Sequence, residues 1–367
     1  MSEPVMALRY SWRFFHLEDG VELGSAVEGV RLRLKGHPGK QLQSLLETLA
    51  QGVPVSSTLE VLSTKSGLSP SQVREVIDVL QERHALITLE GPTTSGYRDI
   101  PFDRQIRFFS MFESDGSSGK DFNERLQNRK VVIVGVGGIG CWIALLCSRI
   151  GIRNIVAIDP DRVELSNLDR QVLYNRDDIG CFKVAACERA LTRFGSNSKF
   201  EGHTSKVENE EDLSQFAGSA DLVFNPFGYR PLEQALDYPV GKIARAALKA
   251  GIPSLISGGP WTGPLTVPGK TACYWCFLAQ HEEANASLKW AVGPSRRDGT
   301  VGQFAPRLVI SAAHAVWEAA RYLSGWIPAA TLESVIVTDF FNYDKNAILG
   351  TSRKENCQMC SSIRQDG

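Results

Sequence analysis

The chain lacks an excess of charge of either sign. Forty Lys and Arg residues stand against 41 Asp and Glu, for a formal net charge of −1. So balanced a composition gives no general electrostatic attraction for nucleic acid or for an anionic membrane, and neither is expected as a partner. Long apolar runs are also missing; none reaches the ~18 residues that a membrane-spanning helix requires. Met1-Ser2-Glu3-Pro4 offers no basic segment followed by an apolar core, so no secretory signal is expected there and the expected compartment is the cytoplasm. In that compartment the eight cysteines are expected as thiols or metal ligands rather than disulfides. What remains is an ordinary globular composition, 43% hydrophobic and 22% charged over 367 residues, enough for more than one small domain.

Residues 1–95 are expected to form a small front domain. Stretches 7–14, 21–24 and 29–34 have strand character, and Val30, Leu32 and Leu34 alternate with Arg31, Arg33 and Lys35 as on a half-exposed sheet. Leu42, Leu45, Leu46 and Leu49 make one helical stripe. A short helix is expected at 57–63. Ser69, Pro70 and Gln72 supply the cap, first-turn proline and capping-box partner for a further helix carrying Val73, Val76, Ile77 and Leu80. A strand near 86–89 completes a winged-helix outline. DNA binding would be one use for it, but the candidate recognition helix, Ser71 to His84, is charge-balanced. Packing or dimerisation is another. A free sheet edge could also accept an extended peptide as an added strand. Gly91 to Gly96 reads as the linker.

The densest information lies between Lys130 and Lys183. Val131 to Val134 is a strand-like run, followed by Gly135-Val136-Gly137-Gly138-Ile139-Gly140 and a helix with Ile139, Ile143, Leu146 and Ile150 on its buried stripe. Gly135 permits a tight turn, Gly137 and Gly138 admit phosphate to the backbone, and Gly140 lets helix and strand approach. The helix start then offers N–H groups to an anion. Cys141 and Cys147 read as core residues. Asp159 ends the next strand, where it could accept ribose hydroxyls. A dinucleotide-dependent dehydrogenase would look the same to this point. Asn167 and Arg170, one helical turn apart, and Lys183 favour phosphoryl or nucleotidyl transfer, because cations converging on a polyphosphate stabilise charge in transfer. Arg104, one helix ahead of the glycines, could reach a phosphate or simply be solvated.

Further along, 221–225 and 253–257 are strand-like, with a helix at 240–250 between them and another at 309–323. A last strand is expected at 334–338. A magnesium–triphosphate site would call for a carboxylate beyond the strand at 221–225, and Asp237 is the candidate there; a helix cap or a solvated side chain is the equal alternative. Cys273-x-x-Cys276 and Cys357-x-x-Cys360 can each grip one tetrahedral metal, and together they predict a closed zinc site that clips the tail to the body. A redox pair is the alternative, disfavoured by the presence of two pairs. Residues 277–302 lack periodicity and read as a mobile loop over the substrate; they contain no cysteine, which argues against a thioester relay there.

Taken in order, the glycine run, Asp159, Ser166-Asn167-Leu168-x-Arg170-Gln171, Lys183 and the paired cysteines resemble the E1-like adenylating enzymes, the ThiF/MoeB superfamily, over residues 100–367. The small front module, together with Thr266 to Cys273 and Phe304-Ala305-Pro306, is similar to the peptide-modifying branch typified by MccB and PaaA. The resemblance implies an α/β fold: a Rossmann-like adenylation domain with a mainly parallel sheet at 96–367, behind a winged-helix-like peptide clamp at 1–95. It implies ATP bound by Gly135, Gly137, Gly138 and Gly140, with Asp159, Asp161, Asn167, Arg170, Gln171 and Lys183 on ribose and phosphates. Arg104 would reach the ATP of the partner subunit in a homodimer, with Mg²⁺ at the triphosphate. It implies adenylation of a carboxylate on a ribosomal precursor peptide, followed by capture within the peptide. One departure stands out: counted without gaps, the family's magnesium-binding Asp falls at Gly228, and Asp237 would replace it only if 226–236 is an insertion. A catalytically silent peptide-binding partner, or an activator of a ubiquitin-like or sulfur-carrier protein, are the alternatives.

Overall fold

The computed structural model describes residues 3–17, 20–25, 29–90, 100–113, 117–230, 232–281, 302–340, 342 and 346–363. The linker at 91–96 and residues 282–301 of the expected substrate loop lie outside them. The chain divides into two compact units, Met1–Arg125 and Leu126–Gly367. That division falls later than the composition-based boundary at 95, and it places residues 100–125 with the front unit.

In the front unit, strands β1 (Pro4–Leu8), β2 (Trp12–Leu17), β3 (Gly20–Ser25) and β4 (Val30–Lys35) precede helix α1 (Gly39–Gln51). Strand β5 (Val53–Pro54), helices α2 (Thr58–Ser66) and α3 (Pro70–Glu82), strand β6 (Leu86–Glu90), helix α4 (Asp103–Phe109) and the start of α5 (Gly119–Gln127) follow. The stretch 7–14 is two strands rather than one. The chain turns where Trp12 N–H donates to the Arg9 carbonyl at 3.0 Å, so β1 joins a β5-β1-β6 sheet and β2 a β2-β3-β4 sheet. The capping box of α3 forms as expected: Ser69 accepts from the Gln72 N–H, and Gln72 accepts from the Ser69 N–H. The leucine stripe of α1 and the Val73, Val76, Ile77, Leu80 stripe of α3 bury together with Trp12, Val21 and Leu23. On the edge strand β4, Leu34 is buried while Arg31, Arg33 and Lys35 are exposed.

The second unit is built on one eight-stranded sheet. Its strands are β7 (Lys130–Val134), β8 (Asn154–Ile158), β9 (Lys199–His203), β10 (Leu222–Asn225), β11 (Ser254–Gly258), β12 (Trp261–Thr266), β13 (Ser334–Val337) and β14 (Ala347–Gly350). They lie in the order β14-β13-β12-β11-β10-β7-β8-β9. The five from β9 to β11 are parallel and the last three pair antiparallel, so the sheet is mainly parallel. Helices cover both faces, which is why β7 and β8 are apolar along nearly their whole length. Val132 and Val134 pack with Leu213 of α8 (Glu210–Ala217) and with Ile243 and Ala247 of α9 (Pro239–Lys249). Ile133 points to the other face, under α6 (Gly140–Arg149), which packs against α11 (Ala305–Ser324), the helix that follows α7 (Lys183–Arg193) and α10 (Tyr274–Gln280). The chain winds outward from β7 through β8 to β9, then returns to β10 on the other side of β7. That reversal creates the crevice where ligands of such sheets bind. Among the described residues no helix is long and apolar enough to cross a membrane.

Candidate nucleotide site and cysteine cluster

A cavity of about 380 Å³ opens at this switch point, within the size range of small-molecule sites. Gly135, Gly137, Gly138 and Gly140 form one wall, with Asp159, Asp161 and Lys183 beside them. Gly135 has φ +94°, a left-handed conformation that a side chain would strain, and its N–H donates to the Ile158 carbonyl at 2.7 Å. Gly140 is required for close approach: a Cβ there would lie 1.8 Å from the Gly135 carbonyl oxygen. At Gly137 a Cβ would meet nothing within 4 Å, since that face is turned to open space.

Asp159 is buried, and its carboxylate braces the glycine loop. Oδ2 accepts the Val136 N–H at 2.8 Å and Oδ1 accepts the Asp161 N–H at 2.9 Å, which leaves each oxygen a second lone pair for a ligand hydroxyl. Burial raises the carboxyl above its ordinary range, opposed by the Asp161 N–H and the Lys183 charge. Lys183 opens α7 with only 6% of its surface exposed, and its ammonium lies 2.8 Å from Asp161 Oδ2. Burying a lysine beside an open cavity costs free energy that one half-exposed carboxylate offsets only in part, so the cation is positioned for an anionic ligand.

Asn167, Arg170 and Gln171 do not line the cavity. The segment Leu165–Asn167 is a 3₁₀ turn, where Asn167 Oδ1 accepts the Glu164 N–H at 3.1 Å. Arg170 turns back onto the Ser166 carbonyl and Asp169. Its own carbonyl accepts from Trp142 Nε1 at 3.3 Å, and the buried Gln171 Oε1 has no partner among the described residues. Arg104 belongs to the front unit, exposed on α4 beside Asp103. Cys141 and Cys147 are buried in α6, and burial pushes the Cys141 thiol up to about 12.

Several lining residues escape sequence reasoning. Ser205 to Glu208 follow β9, Phe227 follows β10, and Pro239 and Ile243 come from α9. Tyr174, from an irregular stretch, donates its hydroxyl to the Val136 carbonyl beneath the glycine loop. The signal that could have found the first group is topological: loops after every parallel strand converge on the same edge.

The residues do not fit a magnesium ion held by the chain. Asp237 is exposed in the turn before α9, and it is not among the lining residues. The lining carboxylates, Asp159, Asp161 and Glu208, do not gather into a metal-ligand group; among the described residues only the four cysteines do.

The four cysteines of the two Cys-x-x-Cys pairs converge at the start of α10 and in the C-terminal segment. Their sulfurs all lie within 4.8 Å of one another. Cys273 to Cys357 is 3.6 Å, Cys276 to Cys360 is 3.5 Å and Cys273 to Cys276 is 3.7 Å. A tetrahedral ion with metal–sulfur bonds of about 2.3 Å places its ligands about 3.8 Å apart, so the donor set and spacing fit a closed metal site. Hydrogen bonds from Cys273 and Cys360 hold the Cys276 thiol low, with help from the Lys354 N–H. The cluster sits in a core of Tyr229, Tyr274, Trp275 and Phe277.

Residues 102–359 match the ThiF family. The adenylyltransferase and sulfurtransferase uba4 of Aspergillus niger is 30% identical over 65% of this chain, which spans about half (49%) of that relative. Escherichia coli MccB, solved with ATP, superposes with a TM-score of 0.72 at 21% identity, covering 97% of this chain and 99% of MccB. PaaA superposes at 0.68 and 21% identity over 94% of this chain and 99% of PaaA. At that identity the two structures establish a shared fold, and their coverage extends into the residues before 102 that the family match leaves out.

Proposed function

Because the chain belongs to the ThiF family, we propose that it is an E1-like enzyme that uses ATP to adenylate a carboxylate on a ribosomally made precursor peptide. The observation that carries the reading is the buried Lys183 beside the glycine wall, in a cavity at the switch point of the sheet. A carboxylate oxygen of the peptide attacks the α-phosphorus. The bond from that phosphorus to the bridging oxygen breaks, pyrophosphate leaves, and an acyl-adenylate forms. A nucleophile within the peptide then captures the acyl group and AMP departs. The glycine-loop N–H groups and Lys183 hold the phosphates, and Asp159 receives the ribose hydroxyls. Any magnesium would arrive on the triphosphate itself.

The choice of a peptide substrate is supported by the fold likeness to MccB and PaaA, which runs through the front unit. MccB has been solved in complex with N-formylated MccA. In this chain β4 is a sheet edge, where an extended leader segment can add as a strand. A homodimer and a cytoplasmic location are part of the same proposal. The cysteine cluster would hold zinc, the ion that favours four thiolates in a closed tetrahedron; it would fasten the C-terminal segment to α10 and take no part in adenylation. The direct test is ATP–pyrophosphate exchange dependent on a precursor peptide encoded beside this gene, with mass spectrometry of the peptide. Absence of AMP formation with every neighbouring short peptide would sink the proposal.

A second reading is favoured by the lack of a carboxylate at Gly228 and by the exposed Asp237: a silent partner that binds a leader peptide and delivers it to another enzyme. Tight peptide binding without measurable ATP affinity would select it.

A further inference from the structure

The crevice has little free positive charge on its described walls. Lys183 is bonded to Asp161, and Lys206 lies on an exposed loop. The wall opposite the glycine loop continues from β10 as Pro226-Phe227-Gly228-Tyr229-Arg230. Phe227 lines the cavity, and Arg230, three residues on, stands outside the lining. A Cβ at the exposed Gly228 would lie 3.7 Å from the Arg230 Nη1. The guanidinium rests 4.5 Å over the ring of Tyr238, the residue before the cavity-lining Pro239. The chain neighbours of two lining residues, Phe227 and Pro239, therefore flank this side chain.

Its hydrogen bonding is incomplete. Nη1 donates to the Tyr229 carbonyl at 2.9 Å, whereas Nε is buried and has no partner among the described residues. The backbone beneath is held firmly. Arg230 N–H donates to the Tyr274 hydroxyl at 2.9 Å, and that hydroxyl donates to the Arg230 carbonyl at 3.1 Å. Tyr274 is fully packed between Cys273 and Cys276, so the cysteine cluster anchors the Arg230 backbone. A buried guanidinium nitrogen without an acceptor is unfavourable, and the planar fork of arginine matches phosphate oxygens.

We propose that Arg230 is a phosphate-binding residue of this site, swinging over the bare backbone of Gly228 to hold the β- or γ-phosphate of the nucleotide. The absence of a side chain at 228 opens its path. It brings positive charge to the wall where the chain provides no carboxylate for a metal. The inference rests on the nucleotide reading of the cavity.

The test is calorimetric titration of the full chain with a non-hydrolysable ATP analogue and, separately, with AMP, in magnesium-containing buffer. Arg230→Ala is expected to weaken binding of the ATP analogue by about ten- to hundredfold, the effect of losing a charge-assisted hydrogen bond, and to change AMP binding less than about twofold. Arg230→Lys keeps the charge without the fork and is expected to fall between, guarding against misfolding of the alanine variant. Gly228→Asp, which has room for its Cβ, is expected to pair with Arg230 and weaken the ATP analogue likewise. Unchanged affinity for the analogue in both Arg230 variants overturns the inference alone. So does an equal loss for analogue and AMP, which is a structural effect, or tighter analogue binding by Gly228→Asp. A wild-type chain that binds neither nucleotide overturns the reading of the cavity, and this inference with it.

Discussion

The Tyr174 hydroxyl donates to the Val136 carbonyl at 2.7 Å. The Val136 N–H donates to Asp159 Oδ2, so the peptide units flanking Val136 are gripped from both sides beneath the glycine loop. Burial pushes the Tyr174 phenol up, and it stays a donor across the physiological range. Tyr174→Phe keeps the ring and removes the grip. The expected result is a loss of about 1–3 kcal/mol in denaturant unfolding, since a buried carbonyl loses its donor, accompanied by weaker ATP binding. Stability and ATP affinity both equal to wild type would show that Tyr174 has no positioning role.

The glycines of the loop separate by what a methyl group would meet. Gly140→Ala places Cβ against the Gly135 carbonyl, so the variant is expected to unfold several degrees lower whether or not nucleotide is present. Gly137→Ala meets only open space. It is expected to melt within about a degree of wild type while losing ATP affinity, because the methyl occupies the phosphate approach. Thermal melts with and without ATP decide; full ATP affinity in Gly137→Ala would mean that the phosphates do not lie there.

How far the sequence could be read follows from how local each signal is. The apolar run of β7, the glycines and the leucine stripe of α1 are contiguous patterns, and they fold as read. The cysteine pairs are also local, and their ligand chemistry allowed the meeting of positions 273 and 357 to be inferred. Strands β9 and β14 carry too few buried residues to register, because both lie at the edges of the sheet. Strand β12 holds a glycine and a proline, which are disfavoured in a strand interior and mask its pattern. Arg170 and Asn167 share the spacing of a helical turn, but neighbouring hydrogen bonds claim both. Tyr174 acts through a loop contact that no periodicity encodes.

If the cysteine cluster holds zinc, the purified chain is expected to contain about one zinc per molecule, lost from Cys357→Ser. The substituted position is in the C-terminal segment, whereas Cys273 and Cys276 open α10. Detaching the tail should therefore leave the glycine-loop cavity intact and expose residues 351–363 to protease. Elemental analysis and limited proteolysis provide the readout. A Cys357→Ser chain with unchanged zinc and an equally protected tail would exclude the clip.

Glu113 supplies a pH prediction for the front unit. It is 5% exposed and accepts the Gly119 N–H at 2.9 Å. Burial raises its carboxyl above the ordinary value of 4.5, against the Gly119 and Ser110 hydrogen bonds. The folded state thus keeps the Glu113 proton to higher pH than the unfolded state does. Its contribution to stability is fully present below pH 4.5 and is lost as pH rises through the folded-state value. Glu113→Gln retains an acceptor for Gly119 and has no proton to lose. The variant is expected to gain stability relative to wild type as pH rises from 4 towards 7, with the gain levelling off once the wild-type carboxyl has ionised. Paired denaturation curves at several pH values read the difference directly, because other carboxylates titrate alike in both proteins. A stability difference that does not vary with pH would show that the buried Glu113 is not held protonated by its surroundings.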